Sequence, residues 1–323
     1  MSILKGIKKY VGVVKESTWG TKATTGHKYI EALTEGFGLS RPNVKRSVMR
    51  GGVRGYKRNL KGRYDAKGSI ACDLTNEGGL PVLLESFMGT VETSVLVASA
   101  AWKHVFTFED DLAFGESKGV TIKLGKDLAV YDHYGFVTEQ IQISSASGDD
   151  PAQISFDMIG KNSEVGDSAS PVYVSVDPFM HHDIAITVDG SAINPSGFAL
   201  TGKNNYKSDY YGGSAYRSKI PVNKERELTG KLDFDVIEDF NYFNKYIANT
   251  SVALVVSWTG ALISGTTYHL FKLTIPKAYF SGPDSPGSGG VEIPKMECPF
   301  DLRYTDSSTL EMTLELNNTE DSI

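Results

Sequence analysis

Apolar and polar positions alternate from Ser69 to Leu74. Ile70, Cys72 and Leu74 point one way, Ser69, Ala71 and Asp73 the other, which is the period of a half-buried strand. A helix should follow directly, with Asn76 as N-cap, Pro81 in the first turn and Gly89 at its close. Leu80, Leu83, Leu84, Phe87 and Met88 recur at helical spacing and give it one apolar face. Burying each such side chain contributes roughly 1.5–3 kcal/mol, so the helix should dock on a sheet.

The same strand-then-helix text recurs from Arg226 to Asn249. Leu232, Phe234 and Val236 form the apolar strand face, and Lys231, Asp233 and Asp235 the polar one. Asp239 can cap a helix whose Phe240, Phe243 and Ile247 share a face, and Asn249 stands where the first copy has Gly89. Gly51-Gly52 maps to Gly212-Gly213 and Gly68 to Gly230, about 161 residues apart, one domain length.

Alternation predicts further strands over 6–16, 29–34, 102–110, 119–124, 136–144 and 152–158 in the first half, and over 184–188, 252–258, 268–275, 291–304 and 310–316 in the second. Two glycine-dense stretches without a period, 36–62 and 194–219, read as long loops, and such loops are usually functional. The small polar text around NSEVGDSASP reads as a linker, and NNTEDSI as a loose tail. The expected fold is mainly β: two tandem antiparallel β-sandwich or barrel domains, 1–165 and 166–323, each with one flanking α-helix.

Composition is that of a soluble globular protein, with 40% hydrophobic and 22% charged residues. No apolar run is long enough to span a bilayer, and the start of the chain does not read as a signal peptide. Cys72 and Cys298 lie in strand-like text and are expected to be reduced core residues. Charge changes the picture more. Arg41, Lys45, Arg46, Arg50, Arg54, Lys57, Arg58, Lys61 and Arg63 fall in one stretch without an acid; setting these nine aside, a net charge of −6 becomes −15. An acidic body carrying one basic loop suits nucleic acid or another acidic copy of the same chain.

Candidate chemistry is sparse. His181-His182-Asp183 lacks metal-ligand spacing and reads as an exposed linker. GALISGTT lacks the phosphate-loop lysine and there is no GxSxG; of the paired carboxylates, which include Asp110-Asp111, Asp149-Asp150 reads as a turn, Glu238-Asp239 as a helix start and Asp233 with Asp235 as the solvated face of a strand. No catalytic, cofactor or metal site is expected. Asp73, Asp157, Asp233, Asp235, Glu311 and Glu315 all stand opposite apolar positions, either as a solvated sheet face or as one shared acidic surface.

In order, YVGVVKESTWGT, SRPNVKRSVMRGGVRGYK, KGSIACDLTNEGGLPVLLESFMG, WKHVFTFED and YGFVTEQIQISSASGDDPAQISFDMIGK resemble the tail tube proteins of long-tailed phages. The second half repeats the scheme without the W-G-T segment or the dense arginine. The resemblance implies a virion structural protein, not an enzyme, assembled in the host cytoplasm. Six tube folds would form a ring, so three two-fold chains would make a pseudo-hexamer, and rings would stack into a hollow, negatively lined tube that passes DNA without sequence readout. The basic loop, including Arg41, Lys45, Arg46, Arg50, Arg54, Lys57 and Arg58, would then make the inter-ring contact. The six carboxylates above are the lumen candidates. Implied partners are other copies of the chain and the tail terminator, tape measure and baseplate or distal tail proteins. The alternatives are another ring-forming tail or baseplate component, a nucleic-acid-binding module, or a carbohydrate-active sandwich enzyme.

Overall fold

The computed structural model describes residues 9–45, 59–98, 100–109, 119–127, 129–234, 241–282, 296–302 and 312–323. In chain order the elements are β1 (Lys9–Lys15), β2 (Lys28–Ile30), β3 (Ala32–Ser40), β4 (Asn43–Lys45), β5 (Asn59–Lys61), β6 (Asp65–Asp73), α1 (Leu80–Met88), β7 (Gly89–Val97), β8 (Ala101–Phe108), β9 (Val120–Lys126), β10 (Ala129–Ala146), β11 (Gln153–Gly160) and β12 (Asn162–Gly166). Then follow β13 (Ile184–Val188), β14 (Ser191–Ile193), β15 (Gly197–Lys203), β16 (Glu227–Phe234), α2 (Asn241–Ile247), β17 (Val252–Ser264), β18 (Thr267–Phe280), β19 (Met296–Leu302) and β20 (Thr313–Asn318). The protein is mainly β, with large antiparallel sheets and two helices.

Every strand pairing is antiparallel, and two series of neighbours can be followed. One runs β2-β1-β9-β10-β11-β6-β3, with β12 beside the first part of β10. The other runs β14-β13-β17-β18-β19-β16-β15, with β20 beside the first part of β18. In both, the long hairpin strand shifts register, between His133 and Phe136 in β10 and opposite Val252–Leu254 in β18. Such bulges bend a strand and let it cross from one layer to the other. The layers pack face to face: Phe37 on β3 meets Phe136 at 5.5 Å, and Phe198 on β15 meets Trp258 on β17 at 5.8 Å.

The two series join. From Gln140 to Ala146, β10 carries β15 beside it, with Gln140 opposite Lys203. β20 carries β8 beside it in turn. One core cluster therefore runs through both halves, from Val13 and Phe87 to Trp258 and Leu316. Cys72 and Cys298 are free and buried as expected, and burial pushes each thiol up to about 12.

Several expectations need correction. β3 continues to Ser40 and a β4–β5 hairpin follows, so the first long loop starts later than its glycines suggest. β15 occupies the start of the second. The linker contains β12, and β7 was not anticipated. Asn76 does not cap α1, whose first position is preceded by Gly79 without a side-chain cap; its amide donates to the Asn317 carbonyl instead. α1 is not buried on one face but on all sides, including Glu85 and Ser86, because β7, β8, β9 and β10 surround it. In α2 the expected buried face is exposed, Phe243 at 44% and Ile247 at 67%. Tyr242 packs inward instead, 5.4 Å from both Phe234 and Phe280. Asp239 and Phe240 lie outside the described residues. The C-terminal stretch is clamped, since Thr319 donates to Glu77 and Glu320 accepts from Gly78 and Lys28.

Candidate functional site

Eight strands form one continuous antiparallel sheet in the order β3-β6-β11-β10-β15-β16-β19-β18. One of its faces packs on the core; the other faces outward. Register fixes which side chains share that outward face. Gly36, Ser69, Asp157, Gln140, Lys203 and Glu227 lie opposite one another in one row. Ala71, Ser155, Gln142, Thr201, Thr229 and Asp301 form the next. The two rows hold eight small or uncharged polar residues and four charged ones, Asp157, Lys203, Glu227 and Asp301.

Three of the lumen candidates meet here. Asp157 is exposed, while Asp73 and Asp233 are half-buried. Burial raises the Asp73 carboxyl above the ordinary range, with Asp150 adding to it. Asp233 pairs with Lys231 at 3.0 Å, and Lys231 also reaches Glu297 at 3.3 Å. The Asp233 hydrogen bond lifts the Lys231 ammonium against the opposing effect of burial, and Glu297 adds a smaller lift. Asp65, Glu227, Glu297 and Asp301 bring the carboxylates at the alternating positions of this face to seven, against Lys67, Lys203, Lys231 and Lys277. Glu315 does not join them. It lies on β20 in the other layer, between Lys272 and Val105 in register, and pairs with Lys103 at 2.8 Å. Asp235 and Glu311 lie outside the described residues.

Of the basic stretch, Arg41 is held by its own chain. It donates to the Gly62 carbonyl at 2.9 Å and to the Tyr64 hydroxyl at 3.1 Å, and its guanidinium lies 4.4 Å from the Tyr64 ring centre. Lys45 ends β4 and is exposed. Arg46, Arg50, Arg54, Lys57 and Arg58 lie outside the described residues, as do Gly51 and Gly52.

One residue that pattern reading missed lies nearby. Arg217, from the loop after β15, is buried and donates to the carbonyls of Ala66 at 2.9 Å and Gly160 at 2.6 Å and to the Asp65 carboxylate. Tyr216 beside it stacks on Tyr64 with ring centres 4.5 Å apart. The loop of the second half thereby latches onto the ends of β6 and β11 in the first.

The segment KESTWGT works in a similar way. Glu16 accepts from the amides of Gly20 at 2.6 Å and Gly135 at 2.7 Å and from the Thr121 hydroxyl at 2.8 Å. Burial raises its carboxyl despite these bonds. One side chain so fixes the turn after β1 to β9 and β10.

His181 and His182 lie in a 3-10 turn, where His181 contacts Ser145. Among the described residues no group of histidine, cysteine and acidic side chains is arranged to hold a metal. No helix among them is long and apolar enough to cross a membrane.

No curated protein matches this sequence. The family described as phage tail tube protein matches residues 6–302, which spans both strand series, the outward face and the Glu16 turn. The chain belongs to the phage tail tube protein family, and its role is that of a structural component of the phage tail.

Proposed function

We propose that the chain is two like β units in tandem, 1–165 and 166–323, and that three chains close a pseudo-hexameric ring. Rings then stack into the hollow tube that conducts DNA into the host. The observation that carries this reading is the order β15-β16-β19-β18 set beside β3-β6-β11-β10 in a single sheet. A chain that already joins two such units edge to edge contains one of the ring's repeating contacts. Closing the ring removes the open edges that make an isolated sheet prone to aggregation.

The outward face of that sheet is the lumen wall in this reading. Its small polar side chains offer DNA little to grip, and its excess of carboxylates repels phosphate. Screening limits that repulsion to about 8 Å at physiological salt, so it acts as a non-stick lining and carries no sequence readout. The basic stretch from Arg41 to Arg63 meets the acidic body of the next ring and forms the axial contact. The tail terminator, tape measure and baseplate or distal tail proteins meet the ends and interior of the tube, which is assembled in the host cytoplasm before it becomes part of the virion. Electron microscopy of concentrated protein tests the whole reading: hollow tubes or rings support it, and single molecules at every concentration overturn it.

A further inference from the structure

β3 is a nine-residue strand that hydrogen-bonds only to β6 among the described residues, and none of its residues is buried. Its counterpart in the second series is β15. Gly68 on β6 faces Phe37, and Gly230 on β16 faces Leu200; Ser40 faces Asp65 as Lys203 faces Glu227. β15 has what β3 lacks, a second neighbour, β10, and four of its seven residues are buried.

We propose that the outer edge of β3 is the docking surface for a second copy of this chain, and that the pairing copies the β10–β15 seam. The strand it receives is the end of β18. In β10, pairing with β9 stops at Phe136 and pairing with β15 begins at Gln140. In β18, pairing with β17 stops at Ala278. Ser281 then takes the place of Gln140: its amide donates to Pro299 at 2.9 Å, and Pro299 corresponds in register to Asp157, the partner of Gln140. Gln140 sits opposite Lys203 inside the chain. Ser281 of one copy therefore sits opposite Ser40 of the next.

The surroundings agree. The strip after β15 also covers α1, where the Asn204 amide donates to the Phe87 carbonyl at 2.9 Å. α2 follows β16 as α1 follows β6 and leaves Phe243 and Ile247 exposed, apolar surface for the next copy to cover. The second series also has no hairpin between α2 and β17 to match β7–β8, which pairs across to β20. The seam between copies is therefore smaller than the seam within one.

This inference rests on the ring reading, and the test separates the two. Ser40→Cys with Ser281→Cys in the full chain places two exposed thiols that cannot meet within one molecule. Seven inter-strand steps of about 4.8 Å hold them roughly 34 Å apart, far beyond the span of a disulfide. The native cysteines are buried and do not compete. Assembled protein is oxidised, or bridged with a bis-maleimide, and run in denaturant; Ser40→Cys alone is the control. The expected result is covalent multimers of the double variant ending in a closed three-chain species, absent from the control. Tubes in the microscope that yield only monomer would overturn the seam and leave the ring reading standing. Neither tubes nor cross-links would overturn both.

Discussion

The ring of Phe37 occupies the space that a side chain at Gly68 would need. The two residues are opposite in the β3–β6 register, and a Cβ on Gly68 would stand 2.0 Å from Phe37 Cδ1. Gly230 repeats the arrangement under Phe300, with a Cβ 2.2 Å from Cζ. Each series thus lays one aromatic ring across the middle of β6 or β16, and glycine is required there for space.

Gly68→Ala is accordingly expected to lower stability by about 1–3 kcal/mol, the range for overpacking a filled site. Phe37→Ala should remove most of that penalty in the double variant, since the two changes share one contact. Urea titration of the four members of the cycle measures the coupling.

Arg217→Met should release the loop of the second half from the first. The guanidinium is almost wholly buried at 1% exposure, whereas Asp65 keeps 36%. The loss is placed at about 3 kcal/mol, the low end for breaking a buried pair, because water screens the carboxylate. Faster proteolytic cleavage between Asn204 and Arg226 is the expected signature, with the sheets retained by circular dichroism. Unchanged cleavage would mean that the Tyr64–Tyr216 stack suffices to hold the loop.

Much of this design was legible in the sequence, and what was missed has definite causes. The β6–α1 unit, β8, β13, β19 and β20 show plain alternation. The end of β3 does not, because glycine takes the outward positions in Gly36-Phe37-Gly38-Leu39, and β15 alternates only over Phe198 to Thr201, with Gly197 and Gly202 at either side. A glycine-dense strand mimics a loop. β7 was hidden because most of its residues are exposed on both faces. The acidic residues of β6, β11 and β16 were recognised by their place opposite apolar positions, but alternation cannot distinguish the two outer faces of a sandwich, so Glu315 was grouped with them. Arg217 and the C-terminal clamp left no local signal, since Asn318 bonds to Asn76, which is 242 residues away in sequence.

Acid should weaken the fold through His133. Burial, with Lys126 adding to it, pushes this imidazole down to about 4 from an ordinary 6.5. It sits 5.1 Å from the Phe37 ring and bonds Ser163 at 2.6 Å. With the folded value below the unfolded one, the unfolded chain binds more protons between the two. Its contribution is intact above pH 6.5 and is lost as pH falls towards 4, by up to roughly 3 kcal/mol. His104 and His269, also lowered by burial, act in the same direction. The urea midpoint should fall over this window, and His133→Leu should flatten the fall.

If the basic stretch makes the axial contact proposed above, changing Arg46, Arg50 and Arg54 together to glutamate should block stacking while leaving each ring folded, because it would set acidic side chains against an acidic body. Sedimentation at rising protein concentration reads it out: the variant should stop at single rings where the wild type forms tubes. Tubes at the wild-type rate would remove these arginines from the axial contact.

The central claim is that one chain holds two of the six positions around the ring. Cryo-electron microscopy of assembled tubes, viewed end on and reconstructed without imposed symmetry, tests it most directly. The account predicts true threefold symmetry with six similar lobes, and the outward faces of β6, β11 and β16 lining the channel. Six whole chains per ring, or a channel lined by the layer that carries Glu315, would contradict it.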